Sequence, residues 1–185
     1  VGGIARLATL VKDARRENEA RGEKTFLLLA GDVLQGTPLS TVFKGEPDVK
    51  CLNAMGLDVM VVGNHEFDFG LDNFFELKEQ ARFPIVSANI VWKGSGEPLC
   101  APLAELDLGE GLALTVVGVT TPELLTTTAP ANVTDLDVRD PVAAVKAAYA
   151  GAASRGPVML LSHSRHATDR QIAGEVPGLL AIVAG

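Results

Sequence analysis

The stretch Phe26-Leu27-Leu28-Leu29-Ala30-Gly31-Asp32-Val33-Leu34-Gln35-Gly36 decides the fold class of this sequence. Its first five residues form an apolar run with the length of a buried strand, and Gly31-Asp32 is typical of the turn that ends such a strand. The same order, an apolar run followed directly by small and polar residues, returns at residues 58–64 and 158–163. Buried strands that end in polar loops indicate an α/β protein.

Helical periodicity fills the segments between these strands. Apolar residues recur at helical spacing in residues 4–14, and Asp140-Pro141 is a typical helix start. The remaining predicted helices cover residues 48–55, 72–82 (with Asp72 as a possible cap), 141–152 and 169–175. The remaining predicted strands cover residues 84–88, 103–108, 112–119 and 179–184. A hairpin at residues 109–111 indicates a mixed sheet, and residues 91–102 are predicted to form a surface loop.

Composition limits the class of protein further. A chain of 185 residues with 47% hydrophobic residues can form one domain with a sizeable core. The formal net charge is −7 and no basic run occurs, so a nucleic-acid polymer is not an expected partner. No apolar stretch reaches the ~18 residues of a membrane span. Cys51 and Cys100 lie far apart and predict neither a disulfide framework nor a zinc ligand set.

Three polar clusters follow the apolar strands, where α/β proteins place their ligand-binding loops. They are residues 31–36, the run Gly63-Asn64-His65-Glu66-Phe67-Asp68, and Ser162-His163. Asp32, Asn64 and His163 offer oxygen and nitrogen donors without thiolates. Such donors suit a divalent ion of the Zn, Mn or Fe type, whereas calcium prefers oxygen donors alone.

Each of these residues also has a plainer interpretation. Asp32 can belong to a turn or a helix cap, Asn64 to a turn, and His163 can be a hydrogen-bonded structural histidine. Their coincidence at three strand ends favours a metal site over three unrelated turns.

A second feature lies inside the middle cluster, where His65 and Asp68 are three residues apart. At this spacing the carboxylate can bond one imidazole nitrogen and orient the other toward a substrate, which predicts a catalytic acid pair. The alternative is that His65 itself binds metal while Asp68 caps the next helix. We expect His166 to be exposed to solvent, and Trp92 to anchor a loop rather than stack on a base.

These motifs resemble the calcineurin-like metallophosphoesterases, and more closely the catalytic domain of the 5′-nucleotidase and 2′,3′-cyclic phosphodiesterase group. The resemblance rests on Gly31-Asp32-x-x-Gln35-Gly36, on residues 63–68, and on Phe-Pro-Ile-Val-Ser-Ala-Asn-Ile at residues 83–90. It implies a four-layer α/β/β/α sandwich with a two-metal site. In that site Asp32 would bridge both ions, Asn64 and His163 would bind the second ion, and His65 with Asp68 would form the acid dyad.

The sequence departs from this family at two motifs. Residues 1–185 contain neither the Asp-x-His motif that opens the family's site nor the Gly-His-x-His motif that closes it, and they do not include the family's C-terminal substrate domain. We therefore expect residues 1–185 to be the catalytic domain of a longer protein. Asp32 is the only predicted anionic ligand, so we also expect partial or absent metal binding and little turnover by this chain alone.

The function implied by the resemblance is metal-dependent hydrolysis of phosphate esters, with 5′-nucleotides as the expected substrates. Cyclic nucleotides, other phosphodiesters and nucleotide sugars are alternatives within the same enzyme class. A non-catalytic phosphoesterase-like binding scaffold is an alternative outside it, although such a scaffold would be free to lose Asn64, His65 or Asp68. Localisation in the periplasm or at the cell surface is expected by analogy alone.

Overall fold

A computed structural model describes residues 3–185 of the chain. The helices are α1 (Ile4–Glu19), α2 (Pro38–Val42), α3 (Glu46–Met55), α4 (Gly70–Gln80), α5 (Leu124–Thr127), α6 (Pro141–Ala152) and α7 (His166–Glu175). The strands are β1 (Leu28–Leu29), β2 (Val59–Val61), β3 (Ile85–Val86), β4 (Ile90–Trp92), β5 (Leu103–Gly109), β6 (Leu112–Thr120), β7 (Leu136–Val138), β8 (Val158–His163) and β9 (Ile182–Ala184). Two 3₁₀ turns lie at His65–Phe67 and Pro130–Asn132.

Two main sheets organise these strands. The first has the order β1-β2-β3 with parallel neighbours. The second has the order β5-β6-β8-β9, in which β5 and β6 form an antiparallel hairpin and the other pairs are parallel. The hairpin confirms the predicted mixed sheet. β4 and β7 form a separate antiparallel pair.

Alternation along the strands shows how the layers stack. In β2, Val59 and Val61 belong to a cluster shared with β6 and β8, whereas Met60 packs with residues of α3 and α4. In β8, Met159 and Leu161 join the cluster shared with β2, whereas Leu160 packs with α6 and α7. Because successive side chains point to opposite faces, the two sheets face each other and helices cover their outer faces. The predicted α/β/β/α sandwich is confirmed.

Close contact between the sheets depends on one glycine of β6. A Cβ atom at Gly118 would lie 2.6 Å from Val86 Cγ2 and 2.7 Å from the Val86 carbonyl oxygen. The Gly118 carbonyl also accepts a hydrogen bond from the backbone N–H of Ala88 at 2.8 Å. Any larger side chain at position 118 would push the sheets apart and shift the strand ends that carry the polar clusters.

The predicted surface loop at residues 91–102 is wrong in part. β4 includes Val91 and Trp92, and Leu99 and Cys100 are buried. β4 pairs with β7, which the sequence did not predict, because a strand pair so distant in sequence leaves no local signal. Trp92 stacks on Phe75 with ring centroids 6.0 Å apart, so it anchors this strand to α4.

Several element boundaries also differ from prediction. Helix α4 begins at Gly70, so Asp72 lies in its first turn and caps nothing. Helix α7 begins at His166 rather than near Asp169, whose carboxylate accepts a hydrogen bond from the buried Ser162 hydroxyl. His166 is exposed, as predicted. Helix α1 is present, but none of its residues is buried.

Within residues 3–185, no helix has both the length and the apolar character needed to cross a bilayer.

Candidate active site

The three polar clusters meet at one edge of the layered fold. Asp32 follows β1 and Asn64 follows β2 in the first sheet, and His163 is the last residue of β8 in the second sheet. The carboxyl ends of parallel strands lie at the same edge of a sheet, and packing of the two sheets brings the edges together. The structure therefore places the predicted ligand residues side by side.

Asp32, Asn64 and His163 point their polar atoms at one another. His163 Nε2 lies 3.1 Å from Asp32 Oδ2 and 3.3 Å from Asn64 Oδ1. His163 Nδ1 donates a hydrogen bond to the Ala30 carbonyl oxygen at 2.7 Å, so a neutral imidazole presents its Nε2 lone pair to the two oxygens, and only the imidazolium donates on both sides. Three acceptors that face one another need a proton or a cation between them.

Electrostatics at this cluster favour the charged forms of both ionisable residues. Burial opposes ionisation of Asp32, but hydrogen bonds from His163 and the His65 backbone N–H outweigh it and lower the Asp32 pKa. Burial likewise opposes the charge on His163, yet its bonds to Asp32 and the Ala30 carbonyl raise the His163 pKa. The pair is thus arranged to hold positive charge next to Asp32.

The backbone around Asp32 is unusual and tightly packed. Asp32 has a φ of 54°, a left-handed conformation that is uncommon outside glycine. Its Oδ1 accepts the backbone N–H of His65 at 2.9 Å. A Cβ atom at Gly63 would lie 2.3 Å from the same Oδ1, so only glycine permits this approach of the two loops.

The predicted pair of His65 and Asp68 is formed. His65 Nδ1 lies 2.5 Å from Asp68 Oδ2, and the side chains are 46% and 14% exposed. The hydrogen bond to Asp68 is the main cause that raises the His65 pKa, with burial opposing it. Asp68 does not cap the next helix, because Phe69 is the N-cap of α4 and makes no side-chain bond there. The capping half of the alternative interpretation is therefore wrong.

Glu66 is a residue of this site whose role the sequence did not reveal. Its side chain is buried, and its two oxygens accept backbone N–H groups of Gly63, Asp32 and Val33 at 2.6, 2.9 and 2.8 Å. Burial raises the Glu66 pKa, and the three hydrogen bonds oppose that shift. One carboxylate thus joins the loop after β1 to the loop after β2. Its place within the motif at residues 63–68 was the only available signal.

Gln35 belongs to the motif at residues 31–36, but its residue type alone predicted no role for it. Its side-chain amide donates a hydrogen bond to Asp68 Oδ2 from the loop after β1. Its backbone φ is 72°, and its backbone N–H donates to Ser40 Oγ at 2.9 Å. The loop after β1, which carries Asp32, therefore also contacts the His65–Asp68 pair.

Whether a metal ion fits here follows from the donors. Residues 3–185 contain no group of three or more His, Cys, Asp or Glu side chains arranged to hold an ion. Asp32 and His163 are two residues of these types, and the third member of the cluster, Asn64, is an amide. The oxygen and nitrogen donors of the three side chains nevertheless suit a divalent ion. The bond from His163 Nδ1 to a carbonyl is the kind of outer contact that orients a ligating histidine. The donors present fit one divalent ion as a partial ligand set.

Fold and site together define a layered α/β protein in which the oxygen and nitrogen donors of Asp32, Asn64 and His163 lie beside a hydrogen-bonded His65–Asp68 pair. The family model for calcineurin-like phosphoesterases matches residues 1–185. The chain is 33% identical over 183 residues to a 5′-nucleotidase of Vibrio cholerae serotype O1. The aligned region covers 97% of this chain and 33% of the relative. The chain therefore belongs to the calcineurin-like phosphoesterase family, a family of hydrolases that use divalent metal ions.

Two solved structures support the same assignment, and both are of proteins from Thermus thermophilus. A sulfate thiohydrolase, SoxB, superimposes with a TM-score of 0.93 at 29% identity, covering 100% of this chain and 34% of that chain. A 5′-nucleotidase precursor gives a TM-score of 0.85 at 30% identity, covering 100% of this chain and 36% of that chain. The chain spans about a quarter to a third of the length of the curated relatives it matches.

Proposed function

We infer that this chain is the catalytic domain of an enzyme that hydrolyses phosphate esters, with 5′-nucleotides as its substrates. The observation that carries this proposal is the meeting of Asp32, Asn64 and His163 beside the His65–Asp68 pair. Metal-ligand donors and a histidine that can donate a proton supply two contributions to the hydrolysis of a phosphate ester, Lewis acidity and general-acid catalysis. The V. cholerae 5′-nucleotidase supports the choice of substrate.

His65 would act as the general acid. Because its Nδ1 faces the Asp68 carboxylate, its Nε2 is the atom left to give a proton to the departing oxygen. The Asp68 side chain is mostly buried, which holds the imidazole in one orientation. A positioned acid of this kind contributes roughly 10²–10⁴ in rate.

In the complete site, Asp32, Asn64 and His163 would contribute to holding the divalent metal. Bound divalent ions would neutralise charge on the phosphoryl oxygens and supply Lewis acidity for hydrolysis. Asp32 is the one carboxylate of this ligand set, so we propose that the 185-residue chain alone binds metal weakly and turns over little substrate.

Residues 1–185 would then form one domain of a larger enzyme. The Asp-x-His and Gly-His-x-His motifs and the contacts that select a nucleoside would come from outside this chain. Export to the periplasm or the cell surface stays a prediction, and the relative described as a 5′-nucleotidase precursor supports it.

A second candidate is the sulfate thiohydrolase activity that the SoxB structure is named for, since that protein shares this fold with a TM-score of 0.93 at 29% identity. The test is a substrate panel for the gene product that carries these residues: AMP, 2′,3′-cyclic AMP, a nucleotide sugar and a thiosulfonate ester, each with added Mn²⁺. We expect the highest kcat/KM with AMP. Preference for the thiosulfonate would favour the second candidate, and no hydrolysis at all would favour a binding scaffold.

A further inference from the structure

Gln35 and His65 bond the same oxygen atom of Asp68. The Gln35 side-chain N–H donates to Asp68 Oδ2, and His65 Nδ1 lies 2.5 Å from that oxygen. We propose that Gln35 is a positioning residue, which fixes the Asp68 carboxylate so that it keeps the imidazole hydrogen of His65 on Nδ1. Its catalytic importance rests on the proposed role of His65 as the acid.

Both ends of this contact are held in place. On one side, the backbone N–H of Gln35 donates to Ser40 Oγ at 2.9 Å, and Ser40 is buried. On the other side, the Asn132 side chain donates to the carbonyl oxygen of Asp68 at 2.9 Å and to that of Phe67 at 3.0 Å. The backbones of Gln35 and Asp68 are therefore both held by hydrogen bonds, so their side-chain contact is not one between two mobile surface groups.

The chemistry of the amide suits this role. A side-chain NH₂ group donates a hydrogen bond but carries no charge. It can therefore hold the Asp68 carboxylate without placing a second positive charge beside protonated His65. Glutamate at position 35 would instead place a second carboxylate against Asp68. Methionine has nearly the same length as glutamine but no N–H to donate.

The consequence concerns which nitrogen of His65 exchanges its proton. With Asp68 Oδ2 fixed, Nδ1 keeps its hydrogen and the proton can enter or leave only at Nε2. Without the Gln35 bond the carboxylate is free to rotate, and the neutral imidazole can carry its hydrogen on either nitrogen. Gln35 would thus direct the proton of His65 toward the substrate.

The test measures the tautomer of His65 directly. The chain contains three histidines, so ¹⁵N-histidine labelling and two-bond ¹H–¹⁵N correlation spectra resolve each ring. Spectra are recorded on the chelator-treated chain at one alkaline pH where the imidazoles are neutral. We expect His65 in the wild type to be in the Nδ1–H form. His163, whose Nδ1 donates to the Ala30 carbonyl, is the internal reference.

Gln35→Met and Gln35→Asn are the informative variants. Methionine removes the N–H donor. Asparagine keeps the amide but is one methylene too short to reach Asp68, and it tolerates the positive φ at this position. We expect the Nδ1–H share of His65 to fall by about half or more in both, with His163 unchanged. The control is Gln171→Met, which removes an exposed amide bonded to Glu175 at 2.9 Å.

An unchanged His65 tautomer in both Gln35 variants would overturn the proposal. If the spectrum of Gln35→Met also loses the native signal of His163, that variant has unfolded. The His65 tautomer in Gln35→Asn then decides whether the proposal holds. The measurement uses neither substrate nor metal, so its result is independent of whether the enzyme hydrolyses phosphate esters.

Discussion

His163 Nε2 lies 3.1 Å from Asp32 Oδ2, although the two residues belong to different sheets. His163 ends β8 of the second sheet, and Asp32 follows β1 of the first. The cluster therefore exists only when the two sheets are packed, and no isolated half of the fold could form it. This dependence links the integrity of the core to the proposed site.

Metal binding by the 185-residue chain should be weak. Asp32, Asn64 and His163 offer one formal negative charge to any bound dication, which leaves half of its charge uncompensated. We expect fewer than two Mn²⁺ or Zn²⁺ ions per chain after dialysis, measured by elemental analysis. Asp32→Asn should reduce the bound metal further, whereas His166→Ala, at an exposed position, should leave it unchanged. Two tightly held ions per chain would contradict this expectation.

Glu66→Ala should destabilise the fold. The substitution leaves the N–H groups of Gly63, Asp32 and Val33 without their buried acceptor. A buried donor left unpaired costs about 1–3 kcal/mol, and the Gly63 bond is buried whereas the other two are part-buried, so the free energy of unfolding should fall by about 2 kcal/mol or more. Urea denaturation measures the change. Glu76→Ala, at an exposed position of α4, is the matched control and should shift stability by about 0.5 kcal/mol at most. Equal stability of the two variants would show that Glu66 does not join the loops.

The two cysteines should differ in reactivity. Cys100 is buried, and burial raises its pKa to about 11, whereas Cys51 is partly exposed. The thiolate is the reactive form, and at pH 8 only roughly one in a thousand Cys100 thiols would be ionised. Iodoacetamide should therefore label Cys51 first, as peptide mass spectrometry can show. Labelling of Cys100 at an equal rate in the native protein would mean that the core around it opens readily.

Sequence patterns predicted the strands that lie in continuous apolar runs. The runs at residues 26–30, 58–62 and 157–161 each contain a strand, and β2 and most of β8 are buried, whereas β1 is only partly buried. β4 and β7 were missed because their pairing is non-local and each has three residues. Helix α1 shows the opposite case, in which helical periodicity was correct but gave no information on burial.

For the candidate site, residue type and strand-end position were enough to select Asp32, Asn64, His65, Asp68 and His163. The contacts of Glu66 and Gln35 could not be predicted, because each depends on how the loop after β1 approaches the loop after β2. That approach requires a left-handed Asp32 and the absence of a side chain at Gly63. Such backbone detail is decided by tertiary packing rather than by local sequence.

The most direct test of the central claim compares two leaving groups in the gene product that carries this chain. With His65→Ala, we predict that kcat for AMP falls roughly 10²–10⁴-fold, because its alkoxide leaving group needs a proton. The loss for p-nitrophenyl phosphate should be much smaller, since p-nitrophenolate departs without one. His166→Ala, which alters an exposed histidine, should match the wild type on both substrates. Near wild-type turnover of AMP by His65→Ala would contradict the assignment of His65 as the acid.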